Sequence, residues 1–133
     1  MSEGEAQRWL MYARSDSEAA HALMASPDHY SRQVCFLAQQ AVEKALKAAL
    51  IFEQIEFPFT HDLDRLRNLL PDGWQVKASF PNLADMTIWA VEARYPADMP
   101  EVLLVDAQHA IQIAYQVLEL VEFELSKRLG SDS

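Results

Sequence analysis

The stretch FLAQQAVEKALKA, residues 36–48, decides the fold of this chain. It lies within a longer helical pattern, about residues 29–54, in which apolar side chains recur every three or four positions. The main apolar stripe of this helix consists of Val34, Leu37, Ala41, Ala45, Ala48 and Phe52. Four further apolar residues widen it: Phe36, Val42, Leu46 and Leu50. A helix that is apolar over most of its circumference is expected at the centre of a bundle, in contact with neighbours on several sides.

Two further long helices are predicted on either side of this segment. The first spans about residues 5–24, and the last spans about residues 102–129. The apolar face of the last helix begins at Leu103 or Leu104 in this interpretation. Acidic residues near its start and basic residues near its end match the helix dipole.

Two short helices are expected between the central and last helices. The first is capped by Thr60 or Asp62, and the second is opened by Pro81 or Asn82 and ends before the run Arg94-Tyr95-Pro96. The sequence therefore predicts an all-α, up-and-down bundle of about five helices, with two long helices at its centre.

Length and composition indicate one domain over residues 1–133, with residues 130–133 as a loose tail. Only three glycines are present, which disfavours a protein built from many short strands and tight turns. The net charge of −9 disfavours general nucleic-acid binding through phosphate attraction.

The composition also restricts location and cofactors. No apolar run reaches the roughly 20 residues of a membrane helix, and the acidic N-terminus is unlike a signal peptide, so a cytoplasmic protein without membrane contact is expected. A single cysteine, Cys35, disfavours zinc ligand sets, and the histidines show no local metal pattern. No metal or cofactor is predicted, and Cys35 is expected to be a buried residue without chemistry.

A dense polar cluster on the central helix is the first candidate site. It contains Gln40, Glu43, Lys44 and Lys47. In one interpretation Glu43 and Lys47 form an ordinary i,i+4 ion pair. In the other, Lys44 and Lys47 join Arg94 in an anion site, because two lysines and an arginine fork suit a phosphate.

Other polar pairs have weaker spacing signals. Arg14 and His21 have the Arg-x4–6-His spacing of certain helical ribonucleases, although two solvated side chains are the favoured interpretation. His61 and Asp62 lie at a helix start, where Asp62 can cap and His61 can transfer a proton only if a partner is close.

The order of motifs along the chain resembles the HEPN domain family, over about residues 5–127. The residues that carry the resemblance follow an N-terminal helix that starts near Trp9, and they are FLAQQAVEKALKA (36–48), His61-Asp62-Leu63, Ala93-Arg94-Tyr95-Pro96 and Asp106-Ala107. The resemblance implies a compact helical bundle, commonly a homodimer. It also implies a nucleotidyltransferase protein partner, in a toxin–antitoxin-like pair, or a nucleotide ligand.

The resemblance leaves three possible functions, which the sequence weighs differently. Several branches of the family are metal-independent ribonucleases with Arg-x4–6-His late in the domain, but no histidine follows Arg94 within reach. A non-catalytic module that dimerises and binds a nucleotide or a nucleotidyltransferase is therefore expected. The alternatives are a ribonuclease toxin with an atypical site and a structural interaction domain that uses Trp74, Phe57 and Phe59.

Within the motifs that match the family, seven polar positions are candidates for nucleotide or phosphate contact: Gln40, Lys44, Lys47, His61, Asp62, Arg94 and Tyr95. The competing interpretation is that these side chains tie the bundle together through buried, hydrogen-bonded pairs.

Overall fold

The computed structural model describes the backbone of residues 2–90 and 102–130, and the side chains of residues 4–89 and 102–130. Every regular element in these ranges is helical. In chain order the elements are α1 (Ser2–Met24), α2 (Ser31–Phe52), α3 (Leu63–Leu69), α4 (Gln75–Ser79), α5 (Ala84–Thr87), a 3-10 turn (Ile88–Ala90) and α6 (Leu104–Gly130). The all-α bundle is confirmed, with one short helix, α4, that the sequence did not predict.

Some sequence predictions fall beyond the described ranges. The predicted helix end at Arg94-Tyr95-Pro96 lies outside them, as does the predicted tail apart from Gly130, which ends α6. Among the helices that are described, none is long and apolar enough to cross a membrane.

The central helix α2 has the position that its sequence pattern predicts. It contacts both α1 and α6, as well as the short helices α3 and α5. The residues of its main stripe that are fully buried are Val34, Ala41, Ala45 and Ala48, and Val42, Leu46 and Leu50 are fully buried beside them. The small alanine side chains let neighbouring helices approach closely, so α2 is enclosed by the rest of the bundle.

The start of α6 differs from the prediction. Leu103 and Leu104 are both exposed, and the buried stripe begins one turn later, at Ala107. Leu103 precedes the helix, where its backbone N–H donates to the Asp106 carboxylate at 2.9 Å. Leu104, at 100° per residue, falls at the edge of the stripe formed by Ala107 and Ala110. The assignment of Leu103 or Leu104 to the buried face was therefore wrong.

The short helices are held by polar side chains as well as apolar contacts. Asp62 caps α3 by accepting the N–H of Arg65 at 3.2 Å. Asp64 accepts the N–H of Leu83 at 2.6 Å, and the buried Arg67 donates to the carbonyl oxygen of Phe80 at 2.9 Å. The last two bonds attach α3 to residues 80–83, between α4 and α5, and the first satisfies the start of α3.

Cys35 provides a test of how closely the core is packed. Burial, and secondarily the negative charge of Asp106, raise the pKa of its thiol from 9.0 to about 12. Because the raised pKa lowers the thiolate fraction and the side chain is fully buried, the folded protein should react with a disulfide reagent at pH 8 at least about a hundredfold more slowly than the unfolded protein. The measurement is thiolate release with and without denaturant, and similar rates in both states would contradict the buried position.

Candidate functional site

Glu43 is the centre of a buried polar cluster on α2. We call this group the Glu43 cluster; it consists of Gln39, Glu43, Lys47 and His61. The Glu43 side chain is only 5% exposed. One of its oxygens, Oε1, accepts from Gln39 Nε2 at 3.1 Å and from His61 Nδ1 at 2.7 Å. The other, Oε2, accepts from Lys47 Nζ at 3.0 Å, so both oxygens are satisfied.

The ionisation of Glu43 is decided by two opposed effects. Burial raises the pKa of this carboxyl, because it penalises the charged form. The hydrogen bonds from His61, Lys47 and Gln39, together with the charge of Lys47, outweigh burial and hold the pKa below its usual value. Glu43 is therefore an anion at neutral pH, and it compensates the charge of the lysine beside it.

Lys47 is enclosed inside the bundle and does not face solvent. Its side chain is 10% exposed. Its ammonium nitrogen lies 5.8 Å from the centroid of the Trp9 ring and 5.6 Å from that of Phe57. A carboxylate and two aromatic rings thus surround this cation, and the rings add favourable electrostatic contact to the ion pair.

The other predicted residues of α2 have separate partners. Gln40 Nε2 donates to Gln39 Oε1 at 2.8 Å, which attaches Gln40 to the edge of the Glu43 cluster. Lys44 Nζ donates to Asp16 Oδ2 at 2.6 Å and so joins α2 to α1. Both lysines of the predicted anion site therefore already face a carboxylate in this structure.

The segment before α3 forms the solvent-facing edge of the cluster. The His61 side chain is 50% exposed, and its ring lies edge-on to Phe59 with centroids 5.7 Å apart. Phe59 is 95% exposed. The neighbouring Asp62 is used as the α3 cap. We call Phe59 and His61 the aromatic edge of the site.

The structure brings together only part of the predicted set. Gln40, Lys47 and His61 meet around Gln39 and Glu43, whereas Lys44 belongs to the contact with α1. The remaining candidates, Arg94 and Tyr95, lie outside the described residues.

Sequence reasoning missed Gln39 and Asp16 and gave Glu43 only the role of an ordinary helix pair. A signal for Gln39 and Glu43 was present, because they are polar residues one turn apart on a helix that is otherwise apolar nearly all round. Asp16 had no such signal, since its partner is 28 residues away.

The structure also shows the surroundings of the other residues that the sequence analysis singled out. Arg14 of α1 forms an ion pair with Glu122 of α6 at the surface. His21, two turns further along α1, is exposed. Trp74, offered by the sequence as an interface residue, is fully buried, where its ring contacts Phe52 edge-on and lies beneath Arg128. No group of three acidic, histidine or cysteine residues that could hold a metal occurs in the described parts of the chain.

We expect the removal of Glu43 to be more damaging than the removal of the whole ion pair. Glu43→Gln leaves the Lys47 ammonium buried without its anion and should lower the free energy of unfolding by about 3 kcal/mol. The double substitution Glu43→Gln with Lys47→Met removes that uncompensated charge and should recover part of the loss. Urea unfolding followed by circular dichroism measures both.

Lys44→Met is the matched control for this experiment. It removes a lysine from the same helix, but from a more exposed pair, and should cost about 1 kcal/mol or less. Lys47→Met alone completes the set. The role assigned to Glu43 would be contradicted if the double variant lost as much stability as Glu43→Gln and Lys47→Met lose separately, added together.

Comparison with known proteins agrees with this fold. A family model described as HEPN domain matches residues 6–124. The structure is similar to the crystal structure of TT1696 from Thermus thermophilus, with a TM-score of 0.70, 25% identity and coverage of 88% of this chain and 95% of that one. It is also similar to ST0689, an archaeal HEPN homologue, with a TM-score of 0.66, 25% identity and coverage of 90% and 97%. No curated protein matches the chain.

Proposed function

Because the chain belongs to the HEPN domain family, we propose that it is a non-catalytic module of that family which acts by association. In this proposal it forms a homodimer and holds a nucleotidyltransferase partner in a toxin–antitoxin-like pair. The observation that carries the proposal is a contrast between its interior and its surface. Charged groups at the centre are used to hold the bundle together, whereas large apolar side chains are exposed on the outer helices.

The interior charges support a structural role for the polar cluster. Lys47 faces Glu43, and Lys44 faces Asp16, so each cation has an anion within 3.0 Å or less. A phosphate at either lysine would lie close to the carboxylate already bound there, and the repulsion between the two anions opposes its binding. The ion pairs of the two lysines therefore support a role in stabilising the bundle more than a role in binding a ligand.

The exposed apolar residues support association. Met11 of α1 is 62% exposed, and Phe123 of α6 is 70% exposed. The ion pair between Arg14 and Glu122 joins the two helices beside these residues, so Met11 and Phe123 lie at a similar level of the bundle. Exposed apolar side chains next to a compensated charge pair suit contact with a second copy of the same surface.

We expect the purified protein to be a dimer that single surface changes convert to a monomer. Met11→Asp or Phe123→Asp should shift the molar mass from dimer to monomer, because each would place an uncompensated charge in the apolar contact. Phe59→Asp is the matched control, since it alters a still more exposed apolar residue that lies on a loop and not on α1 or α6. Gel filtration with light scattering, together with circular dichroism to check folding, measures the outcome.

Two results would contradict this proposal. One is a monomeric wild type that also fails to co-purify with a nucleotidyltransferase encoded beside it. The other is cleavage of RNA by the purified protein in the presence of a chelator, abolished by His21→Ala or His61→Ala. That second result would establish the metal-independent ribonuclease alternative.

Nucleotide binding is the second candidate function, and the aromatic edge favours it. Phe59 offers an open ring on which a base can stack, and His61 lies beside it with half of its side chain exposed. Lys44 is the more accessible of the two lysines and could exchange Asp16 for a phosphate. Phe59 and His61 thus form a candidate base contact at the outer edge of the Glu43 cluster, and Lys44, in the contact with α1, is a candidate for the phosphate.

Titration of the protein with labelled ATP or GTP tests this second candidate. Phe59→Ala and Lys44→Ala should each weaken binding by about tenfold, because one removes stacking and the other removes the accessible charge. Tyr30→Ala, a change of another exposed aromatic residue before α2, is the control that should have no effect. Absence of binding at millimolar nucleotide would rule out this function.

A further inference from the structure

Tyr115 stands between two grooves on the outer face of α6. The first groove lies between α6 and α1, has a volume of about 530 Å³, and is lined in part by Glu18, His21 and Ile111. The second lies between α6 and the end of α4, has a volume of about 480 Å³, and is lined in part by Phe80, Glu119 and Leu120. Tyr115 lines both, so the two grooves adjoin along one ridge.

The ridge is accessible. Tyr115 is 58% exposed, and its hydroxyl donates a hydrogen bond to Glu119 one turn further along the helix. This bond, with the negative charge of Glu119, raises the pKa of Tyr115. Because a tyrosine side chain has few rotatable bonds, the exposed ring gives a protruding, partly apolar surface with little freedom to lose on contact.

The side chains around the grooves carry an excess of negative charge. Glu18 lines the first groove and Glu119 the second, and neither forms an ion pair with a basic residue in the described parts of the chain. The nearby Arg14 is already paired with Glu122. The net charge of the whole chain, −9, has the same sign. The surface therefore attracts basic groups to two apolar depressions.

We infer that the two grooves around Tyr115 receive a basic amphipathic helix of a partner protein. Its apolar side chains, spaced one or two turns apart, would enter the depressions on either side of the ridge, and its lysines or arginines would face Glu18 and Glu119. This inference rests on the proposed association function and assigns a surface and a chemistry to the partner.

A second copy of this chain is a poorer occupant of the same surface. It would carry its own net charge of −9 and, in a symmetric contact, would bring its own Glu18 and Glu119 toward those of the first copy. Like charges at close range oppose contact and reduce the association rate. Around Met11 and Phe123 this penalty is smaller, because Arg14 and Glu122 compensate each other there.

Peptide binding tests the inference on the full-length protein. The probe is a fluorescent helical peptide of about 18 residues, with leucines at i, i+4 and i+7 and lysines on both flanks. Its matched version carries glutamates in place of the lysines. Fluorescence polarisation should show saturable binding of the lysine peptide at moderate salt, and binding of the glutamate peptide weaker by at least about tenfold.

Surface variants then locate the binding site. Glu119→Lys should weaken binding of the lysine peptide by about tenfold because it reverses a charge beside the groove. Tyr115→Ala should weaken it by a similar factor because it removes the ridge. Glu5→Lys is the matched control, because it makes the same change of charge at an exposed position of α1 that lines neither groove. It should leave the affinity within about twofold of that of the wild type.

Three outcomes would overturn the inference. These are no binding of the lysine peptide, equal weakening by Glu5→Lys and Glu119→Lys, and conversion of a dimer to a monomer by Glu119→Lys. The last would assign the grooves to a second copy. If the peptide fails while dimerisation or co-purification with a nucleotidyltransferase persists, the inference fails and the proposed association function stands.

Discussion

The buried carboxylate of Glu43 is the interaction on which the middle of this bundle depends. A charge removed from water is stable only if other groups replace the water, and here Gln39, Lys47 and His61 do so. These partners come from α2 and from the segment before α3, while Trp9 of α1 and Phe57 lie against Lys47. This carboxylate thus joins α2 directly to the segment before α3, and it reaches α1 through Lys47.

This arrangement changes the meaning of the polar residues in the FLAQQAVEKALKA stretch. A lysine in a dense polar run is easily interpreted as a ligand for phosphate, but the position of Lys47 makes it part of the core. What remains accessible is the aromatic edge, formed by Phe59 and His61, and the more exposed Lys44. The chemistry available to a ligand is therefore concentrated at the boundary of the cluster and not at its centre.

The helices of the bundle could be predicted from the sequence because their apolar periodicity is a local property. The cap of α3 was also predictable, since Asp62 stands immediately before the apolar run that begins at Leu63. Helix α4 was not, because its five residues carry too little periodicity and the N–H of Gln75 is satisfied by Glu124, 49 positions away. The apolar face of α6 was predicted to begin too early, because Leu103 precedes the helix and Leu104 lies at the edge of the buried stripe.

The site shows the same difference between local patterns, which the sequence reveals, and contacts between distant residues, which it does not. The spacing of Glu43 and Lys47 indicated an ion pair, and the structure contains one. Its burial depends on Trp9 and Phe57, which reach it from other parts of the chain, so no local pattern could reveal it. Membership of the HEPN family was recognisable because the order of several motifs persists even where their individual roles differ.

The attachment of the short helices has a consequence for how the molecule opens. Leu66, Val76 and Met86 of α3 to α5 belong to the same apolar core as the three long helices, but these three helices are short and are tied to one another by Asp64 and Arg67. Segments with few buried contacts separate from a protein at lower free energy than its core. Because each short helix contributes only one to three buried residues, we expect amide hydrogens in α3 to α5 to exchange with solvent before those at the centre of α2.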